Sequence, residues 1–570
     1  MQLINRIHFR NVGGDLFGGV TAAIIALPMA LAFGVASGAG PVAGLYGAVI
    51  IGFFAAIFGG TPTLISEPTG PMTVIMTAVI ASYTATNPET GLALAFTVVM
   101  MGGLFQILFG VLGLGKYITL MPYTVISGFM SGIGIILIVL QIPAFLGQAN
   151  PGGVFNTIVG LPELISNINP PETILGVLTV ALIFLTPSRV GRIIPPQLVA
   201  LIVGTVVSLI FFSNVNIRII GEIPAALPQL QMPVLSGTQL TQMLIDAAML
   251  AMLGAIDALL TSTVADSLTD TQHNSDKELV GQGIGNLMSG LCGGLPGAGA
   301  TMGTVVNIQA GGRTPLSGIF RAAILLVVVL WAGSLTQNIP MAVLAGIALK
   351  VGFDIIDWEF MKRAHKISVK AAWIMYGVIL LTVFVNLMIA VGIGVFVANV
   401  ITIKRMSELQ AERVKAITEE KDDTEILLSQ PERQLLKQAN GGILLLHLSG
   451  SMIFGAAQSI SKQLLVAKNY QALIIDFTNV SHMGVTSTLA IENTIENACK
   501  KGRQVFIVGA TGKIKRRLER FNIFNLSPSP RVTGDRFEAL EQAVALINHD
   551  RPNGPNSSQE LEVNNSVSKV

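Results

Sequence analysis

The sequence predicts an all-α polytopic membrane domain followed by a smaller α/β domain. Three observations carry that prediction. Of the 570 residues, 51% are hydrophobic and 12% charged, with a mean hydropathy of +0.66; soluble domains carry about 25% charged residues. The charge is also segregated. Residues 1–403 hold 14 of the 35 Lys and Arg, and the rest of the chain holds 21. Finally, apolar runs of spanning length fill the first part, while the later part alternates short apolar runs with amphipathic ones. The expected division is a transport domain over 1–403, a charged helical linker over 404–423, an α/β domain over 424–550 and a disordered polar tail over 551–570.

The opening residues, MQLINRIHFRNVGGDLFGGV, lack a convincing cleavage site and read as a short interfacial segment. A simple crossing needs about 20 apolar residues, and fewer where a helix is interrupted inside protein. Spans are expected near 15–36, 42–60, 69–83, 92–113, 122–141, 171–186 and 195–213. The second half continues with 241–266, 279–293, 300–311, 314–333, 337–353, 370–386 and 387–403. With the N-terminus inside, the inside loops carry Lys116, Arg189, Arg192, Lys277, Arg313, Lys362, Arg363, Lys366 and Lys370, and the outside loops only Arg218. That asymmetry follows the positive-inside rule and puts both ends in the cytoplasm.

Fourteen spans divide into seven plus seven, and the short, Gly- and Pro-rich segment is third in each half. Matched broken segments mark an inverted-repeat transporter and its central site. The first broken segment is SEPTGPMTVIMTAVIASY (66–83). Pro68, Gly70 and Pro71 forbid a continuous helix, and Thr69 is placed to cap the one that starts there. The second is GGLPGAGATMGTVVNIQAGGRTP (293–315), with a helix start near Ala300 or Thr301. Two helix starts facing each other at mid-membrane expose unpaired N–H groups and partial positive charge, which makes a small anion site. Thr69, Gly70, Ala300, Thr301 and Met302 would line it, leaving room for a compact oxyanion.

Asp257 lies within the apolar run QMLIDAAMLAMLGAIDALLTSTVAD, between Asp246 and Asp266. A carboxylate at the bilayer centre costs at least ~2.5–3.5 kcal/mol. Thr261 shares its helix face one turn on. With carbonyls freed by the glycine-rich stretch, these two form an oxygen cage suited to Na⁺. Two other readings of Asp257 stand beside this one: a proton carrier, and a structural carboxylate bonded to neighbouring helix ends. Glu67 reads as a loop or helix-start residue and His273 as a solvated loop residue. Cys292 and Cys499 are far apart and form neither a disulfide framework nor a zinc motif.

The segments ALPMALAFGVASGAGPVAGLYGAVI (26–50), ELVGQGIGNLMSGLCGG (278–294) and GLPGAGATMGTVVNIQAGGRTPLSGI (294–319) resemble the SulP (sulfate permease) family of anion transporters. The resemblance implies a core domain of spans 1–4 and 8–11 moving against a gate domain of spans 5–7 and 12–14. Two departures from the family pattern stand out. Many members carry an Arg in span ten where this chain has Gly303. Many carry a Glu in span eight where it has Gly254, with Asp257 one turn on. A cation held by Asp257 would replace the missing arginine charge. The combination AIDALLTSTVAD with PGAGATMGT resembles the family's bicarbonate-carrying members. It implies Na⁺-dependent bicarbonate uptake across the plasma membrane, adds Gly299, Thr301 and Gly303 to the cation ligands, and puts Thr69 beside the anion.

Behind the linker, GILLLHLSG (442–450), ALIIDFTNV (472–480) and RQVFIVGAT (503–511) read as strands. AAQSISKQLLVAK and TSTLAIENTIENACKK read as helices between them, giving parallel βαβ units. The stretch IIDFTNVSHMGVTSTLAI resembles the STAS domain that follows the membrane part in SulP proteins. Gly484 and Val485 stand where related domains often have an Asp, so Thr486 is a candidate phosphosite without its usual neighbour. A structural, homodimer-forming role is the other expectation. A net charge of +2 leaves no nucleic-acid footprint. The few intramembrane polar groups contain no nucleophile–base–acid set, so no enzyme is expected. The function classes left are a Na⁺-coupled bicarbonate symporter, an H⁺-coupled or exchange carrier for sulfate or another small anion, and a membrane-anchored sensor signalling through the tail.

Overall fold

A computed structural model describes residues 4–5, 9–118, 121–187, 195–221, 227–331, 336–385, 387–418, 428–466, 469–526 and 530–549. The expected disordered tail and residues 419–423 of the expected linker lie outside these. The chain forms two compact units, Met1–Ala398 and Asn399–Val570.

Each of the fourteen expected spans coincides with a helix. The first half contains α1 (Val12–Ser37), α2 (Pro41–Phe58), α3 (Gly70–Thr86), α4 (Gly91–Val111), α5 (Tyr123–Phe145), α6 (Pro170–Leu185) and α7 (Pro196–Phe211). The second contains α8 (Leu240–Thr269), α9 (Ser275–Leu291), α10 (Thr301–Gln309), α11 (Leu316–Trp331), α12 (Met341–Ile355), α13 (Val369–Phe384) and α14 (Leu387–Ala411). Among the described residues, α1, α2, α4, α5 and α8 have the length and hydropathy of a simple crossing. Side chains such as Leu104, Phe184, Ile210 and Trp373 are exposed, as a lipid-facing surface requires.

Packing sorts these helices into two bundles. α9 lies against α4 and α2, α1 against α2, α10 and α11, and α8 against α4; α5 packs on α12 and α13, and α6 on α7 and α12. With α3, which packs on α4 and α1, the first set is spans 1–4 and 8–11, and the second is drawn from spans 5–7 and 12–13. Glycines permit the closest approaches. A methyl group on Gly44 would collide with the Ala30 carbonyl, and one on Gly281 with the Gly59 backbone.

Two short strands interrupt the membrane helices. β1 (Ser66–Glu67) precedes α3, and β2 (Ala298–Gly299) precedes α10. They pair antiparallel, Ser66 opposite Gly299 and Glu67 opposite Ala298. Antiparallel pairing is the geometry that inverted copies of one element must adopt.

The second unit is a five-stranded sheet in the order β3 (Val414–Ile417), β4 (Ile443–Met452), β5 (Ala472–Met483), β6 (Gln504–Val508) and β7 (Arg531–Thr533). β4 to β7 are parallel, and β3 joins antiparallel at the edge. One face is covered by α16 (Phe454–Val466), α17 (Val485–Lys500) and α18 (Gly512–Arg520), around Leu446, Ile475 and Ile507. The other is covered by α15 (Gln430–Gln438) and α19 (Arg536–His549), around Leu445, Ile474 and Phe506. The linker expected to be helical over 404–423 is helical only to Ala411. It then becomes β3, because Val414 and Ile417 are buried on the sheet. Both cysteines are free.

Candidate functional site

The two broken segments meet. Ala300 N donates to the Ile65 carbonyl at 2.8 Å, which extends the β1–β2 pairing to the first residue before α10. The first intrahelical bonds are Thr73 N to Thr69 O and Thr304 N to Ala300 O, both 2.9 Å. The N–H groups of the first helical residues are therefore free of helical partners, except at Pro71, which has none. Thr69 occupies the N-cap position of α3, but its hydroxyl makes no capping bond. This corrects the expected cap: the Thr69 hydroxyl is buried without a hydrogen-bond partner. It lies within electrostatic reach of Asp257 but outside ordinary hydrogen-bond geometry.

A cavity of about 640 Å³ opens at these helix starts. Thr69 and Gly70 line it from one segment, Gly299, Ala300, Thr301 and Met302 from the other, and Asp257 from α8. Its apolar walls come from both bundles: Met29 and Phe33 of α1, Met130 of α5, and Val351 and Ile355 of α12. The cavity thus sits between the two bundles.

α8 brings oxygens together behind β2. Thr261 Oγ1 donates to the Gly299 carbonyl at 2.8 Å and lies 2.8 Å from Thr301 Oγ1. Asp257 is 8% exposed, and its Oδ2 is buried without a partner. Gly303 stands apart from this group. It does not line the cavity, and a Cβ there would lie 3.2 Å from Ile65 and 3.4 Å from Glu67 Oε1.

Glu67 is not a loop residue. It is on β1, lines the cavity, and is ion-paired to Arg321 of α11. Arg321 is fully buried and also donates to the Ala48 and Ser66 carbonyls, both at 3.1 Å. Gly52 leaves space for the guanidinium, since a Cβ there would crowd Arg321 Nη1. A count of loop charges misses Arg321, because it lies inside a span. Its signal was available, because an Arg inside an apolar helix demands a partner. The side chain that a span-ten arginine would send from position 303 points toward Glu67. In this chain Arg321 meets Glu67 instead. Of the cavity carboxylates, Glu67 is paired with Arg321 and Asp354 with Lys350. Asp257 has no cationic partner among the described residues.

A polar stripe on α9 holds the broken segments in place. Glu278 Oε2 accepts from Gly60 N and Thr61 N, both at 2.8 Å. Gln282 donates to Ser66 Oγ at 2.6 Å, and Ser289 to the Leu295 carbonyl at 2.7 Å. Asn286 mimics a peptide: its Nδ2 donates to the Gly297 carbonyl at 2.9 Å, and its Oδ1 accepts from Gly297 N at 2.8 Å. The spacing 278, 282, 286, 289 is one helix face, so the stripe was legible in the sequence.

His273 is half-buried and bonded, and is not a freely solvated loop residue. Its Nδ1 lies 2.6 Å from Asp266 Oδ2 and its Nε2 2.9 Å from Ser275 Oγ. Thr486 is exposed in the first turn of α17, behind the Gly484 N-cap.

Comparison with known proteins fits this architecture. Residues 12–378 match the model of the sulfate permease family, and residues 434–536 match the STAS domain. The chain is 63% identical to the bicarbonate transporter BicA of Synechocystis sp. over 98% of its length and 99% of that protein. A solved transmembrane domain of a cyanobacterial bicarbonate transporter BicA is 68% identical, covers 68% of this chain and 100% of that one, and superposes with a TM-score of 0.65. The inward-facing murine Solute Carrier 26 family member A9 superposes at a TM-score of 0.78 with 18% identity, over 96% and 93% of the two chains, and shares the fold. The chain belongs to the sulfate permease family, with a STAS domain behind its membrane part.

Proposed function

We propose that this protein imports bicarbonate across the plasma membrane together with Na⁺, by alternating access. The observation that carries this reading is the unpaired Asp257 carboxylate at a cavity where two helix N-termini converge. Identity of 63% to a curated bicarbonate transporter supports the substrate.

Bicarbonate would sit against the free N–H groups of α3 and α10, with the Thr69 hydroxyl as a further donor. The pocket's small residues, Gly70 and Ala300, suit a compact anion. The cavity otherwise repels anions, because Asp257 is uncompensated. Na⁺ as co-substrate resolves that conflict. Asp257, the hydroxyls of Thr261 and Thr301 and the Gly299 carbonyl supply the hard oxygen donors it prefers, and Gly303 lies two residues beyond Thr301 in the first turn of α10. Opposite unit charges about 4 Å apart attract by roughly 4 kcal/mol at an effective dielectric of about 20. That is several hundred-fold in anion affinity, enough to make binding of the two ions mutually dependent. Because the cavity lies between two bundles, movement of one against the other would expose the loaded site to each side in turn. The positive-inside asymmetry orients the C-terminal unit to the cytoplasm.

The deciding measurement is uptake of labelled bicarbonate into proteoliposomes, with Na⁺ replaced by K⁺ or choline. Uptake should collapse to background without Na⁺. Uptake undiminished by the replacement rejects Na⁺ coupling, and dependence on an imposed proton gradient instead would assign Asp257 to proton carriage.

A further inference from the structure

The C-terminal unit holds a second cavity, of about 470 Å³, which the transport reading does not use. It forms where one face of the sheet changes chemistry. On the α15/α19 face, Ile417, Leu445, Ile474 and Phe506 lie side by side as an apolar row. In the next row on that face Lys415 is opposite His447, and His447 is opposite Asp476.

The groups at and beneath the floor of the cavity are bonded to one another. Asp476 is completely buried. Its Oδ1 accepts from Thr478 N at 2.9 Å; its Oδ2 accepts from His447 Nδ1 at 2.9 Å and Arg536 Nη1 at 3.2 Å. Arg536 Nε donates to Glu432 Oε1 at 2.7 Å, and Glu432 in turn accepts from the Ser429 amide and hydroxyl. With Nδ1 committed to Asp476, the His447 ring is held in one orientation and its Nε2 is the nitrogen left for the cavity.

The rim is different. Arg413 and Lys415 line the cavity, and neither side chain is paired with a described residue. Glu412 and Asp535 line it too, and Thr478 and Asn479 add neutral polar groups. Glu412, Arg413, Thr478, Asn479 and Asp535 are exposed and Lys415 is half-buried, so the rim is open to a dissolved ligand while the groups beneath it are fixed. A fixed floor with one imidazole nitrogen to spare, under an open rim of charged groups, is an arrangement suited to a small-molecule site. Two cations and an imidazole nitrogen suit an oxyanion. The carboxylates of Glu412 and Asp535, which also line the cavity, suit the hydrogens of hydroxyl groups.

We propose that this cavity binds a small polyol bearing a phosphate or carboxylate, with the anion between Arg413, Lys415 and His447 and the hydroxyls donating to Glu412 and Asp535. The site is separate from the transport cavity, so the two stand or fall independently.

The test is calorimetric titration of the full chain, purified in an uncharged detergent, with glycerol 3-phosphate, glycerate, inorganic phosphate and glycerol. Saturable binding is expected for glycerol 3-phosphate or glycerate, and the stronger of the two identifies the anion. Inorganic phosphate should bind at least tenfold more weakly, and glycerol not at all. Lys415→Ala, at the rim, should weaken binding at least tenfold, as should His447→Gln. Asp257→Asn should leave binding unchanged. No saturable binding of either polyol anion overturns the proposal. So does binding that survives both Lys415→Ala and Arg413→Ala in protein with an unaltered melting temperature, or inorganic phosphate binding as tightly as the polyol anions.

Discussion

At the scale of single residues, the membrane unit turns on how its buried charges are compensated. Among the cavity carboxylates, Asp257 is the one with no cationic partner among the described residues. Asp257→Asn keeps the shape and removes the charge, so the variant should fold and reach the membrane. Bicarbonate uptake should nevertheless fall at least tenfold, because an amide does not retain the cation. Normal uptake with unchanged Na⁺ dependence would remove Asp257 from the cation site. Glu67 and Arg321 are the compensated pair. Breaking a buried pair by removing one partner costs about 3–5 kcal/mol, while replacing both partners is far milder. Arg321→Met should therefore lower the melting temperature sharply. The double variant Arg321→Met/Glu67→Gln should recover most of the loss, because no charge is then stranded. A double variant as unstable as the single one would mean that the guanidinium's bonds to the Ala48 and Ser66 carbonyls, and not the ion pair, hold α11 in place. In the transport reading proposed above, the pair also lets the anion site tolerate Glu67 on its wall. The carboxylate is already spoken for, so it does not repel the substrate as a free one would.

At the scale of elements, the proposed transport site is built on two strands of two residues each. They are too short to pair unaided, so α9 supplies the missing partners. Asn286 takes the place of a neighbouring strand at Gly297, where a methyl group would strike the Glu67 carbonyl oxygen. Gly297→Ala should therefore separate β1 from β2 and misaim both helix starts. Uptake per folded protein should fall at least tenfold while the protein still reaches the membrane. Retained uptake would mean that the strand pairing does not set the anion site. Much of this was readable in advance. The positions of the fourteen helices, the paired broken segments and the central carboxylate follow from hydropathy, Gly/Pro placement and the cost of burying charge. What escaped was whatever depended on contact across the fold. Arg321 is 254 residues from Glu67, and no local pattern pairs them. Thr69 was expected to cap α3 because threonine at that position usually does. Tertiary placement leaves its hydroxyl buried and unpaired instead. In the C-terminal unit the strands with continuous apolar runs were found. β3 and β7 were not, because edge strands of four and three residues carry too little periodicity to distinguish them from loops.

At the scale of the whole molecule, the two units are stabilised by different physics, and pH separates them. The membrane unit rests on apolar packing and on groups held away from water. The C-terminal unit has a titratable network at the end of its α15/α19 face. Burial alone would push the Asp476 carboxyl up, but hydrogen bonds from His447 and Thr478 outweigh it and hold the carboxyl down at about 2. Glu432 is lowered in the same way: burial opposes the shift, and the Arg536 and Ser429 bonds overcome it. A depressed carboxyl stabilises the fold above its unfolded value, near 3.9 for Asp, and that contribution is lost as pH falls through the folded value. For Asp476 the contribution is roughly 2 kcal/mol at neutral pH. The C-terminal unit of the full chain should therefore lose thermal stability as pH falls from about 5 toward 2. Asp476→Asn should already be less stable at pH 7, and its stability should change less over that acid range. Calorimetry of the two proteins at matched pH values reads the difference directly. If the two melting curves stay parallel from pH 7 to pH 3, the network at Asp476 is not what acid removes, and the stability of this unit lies in its apolar rows.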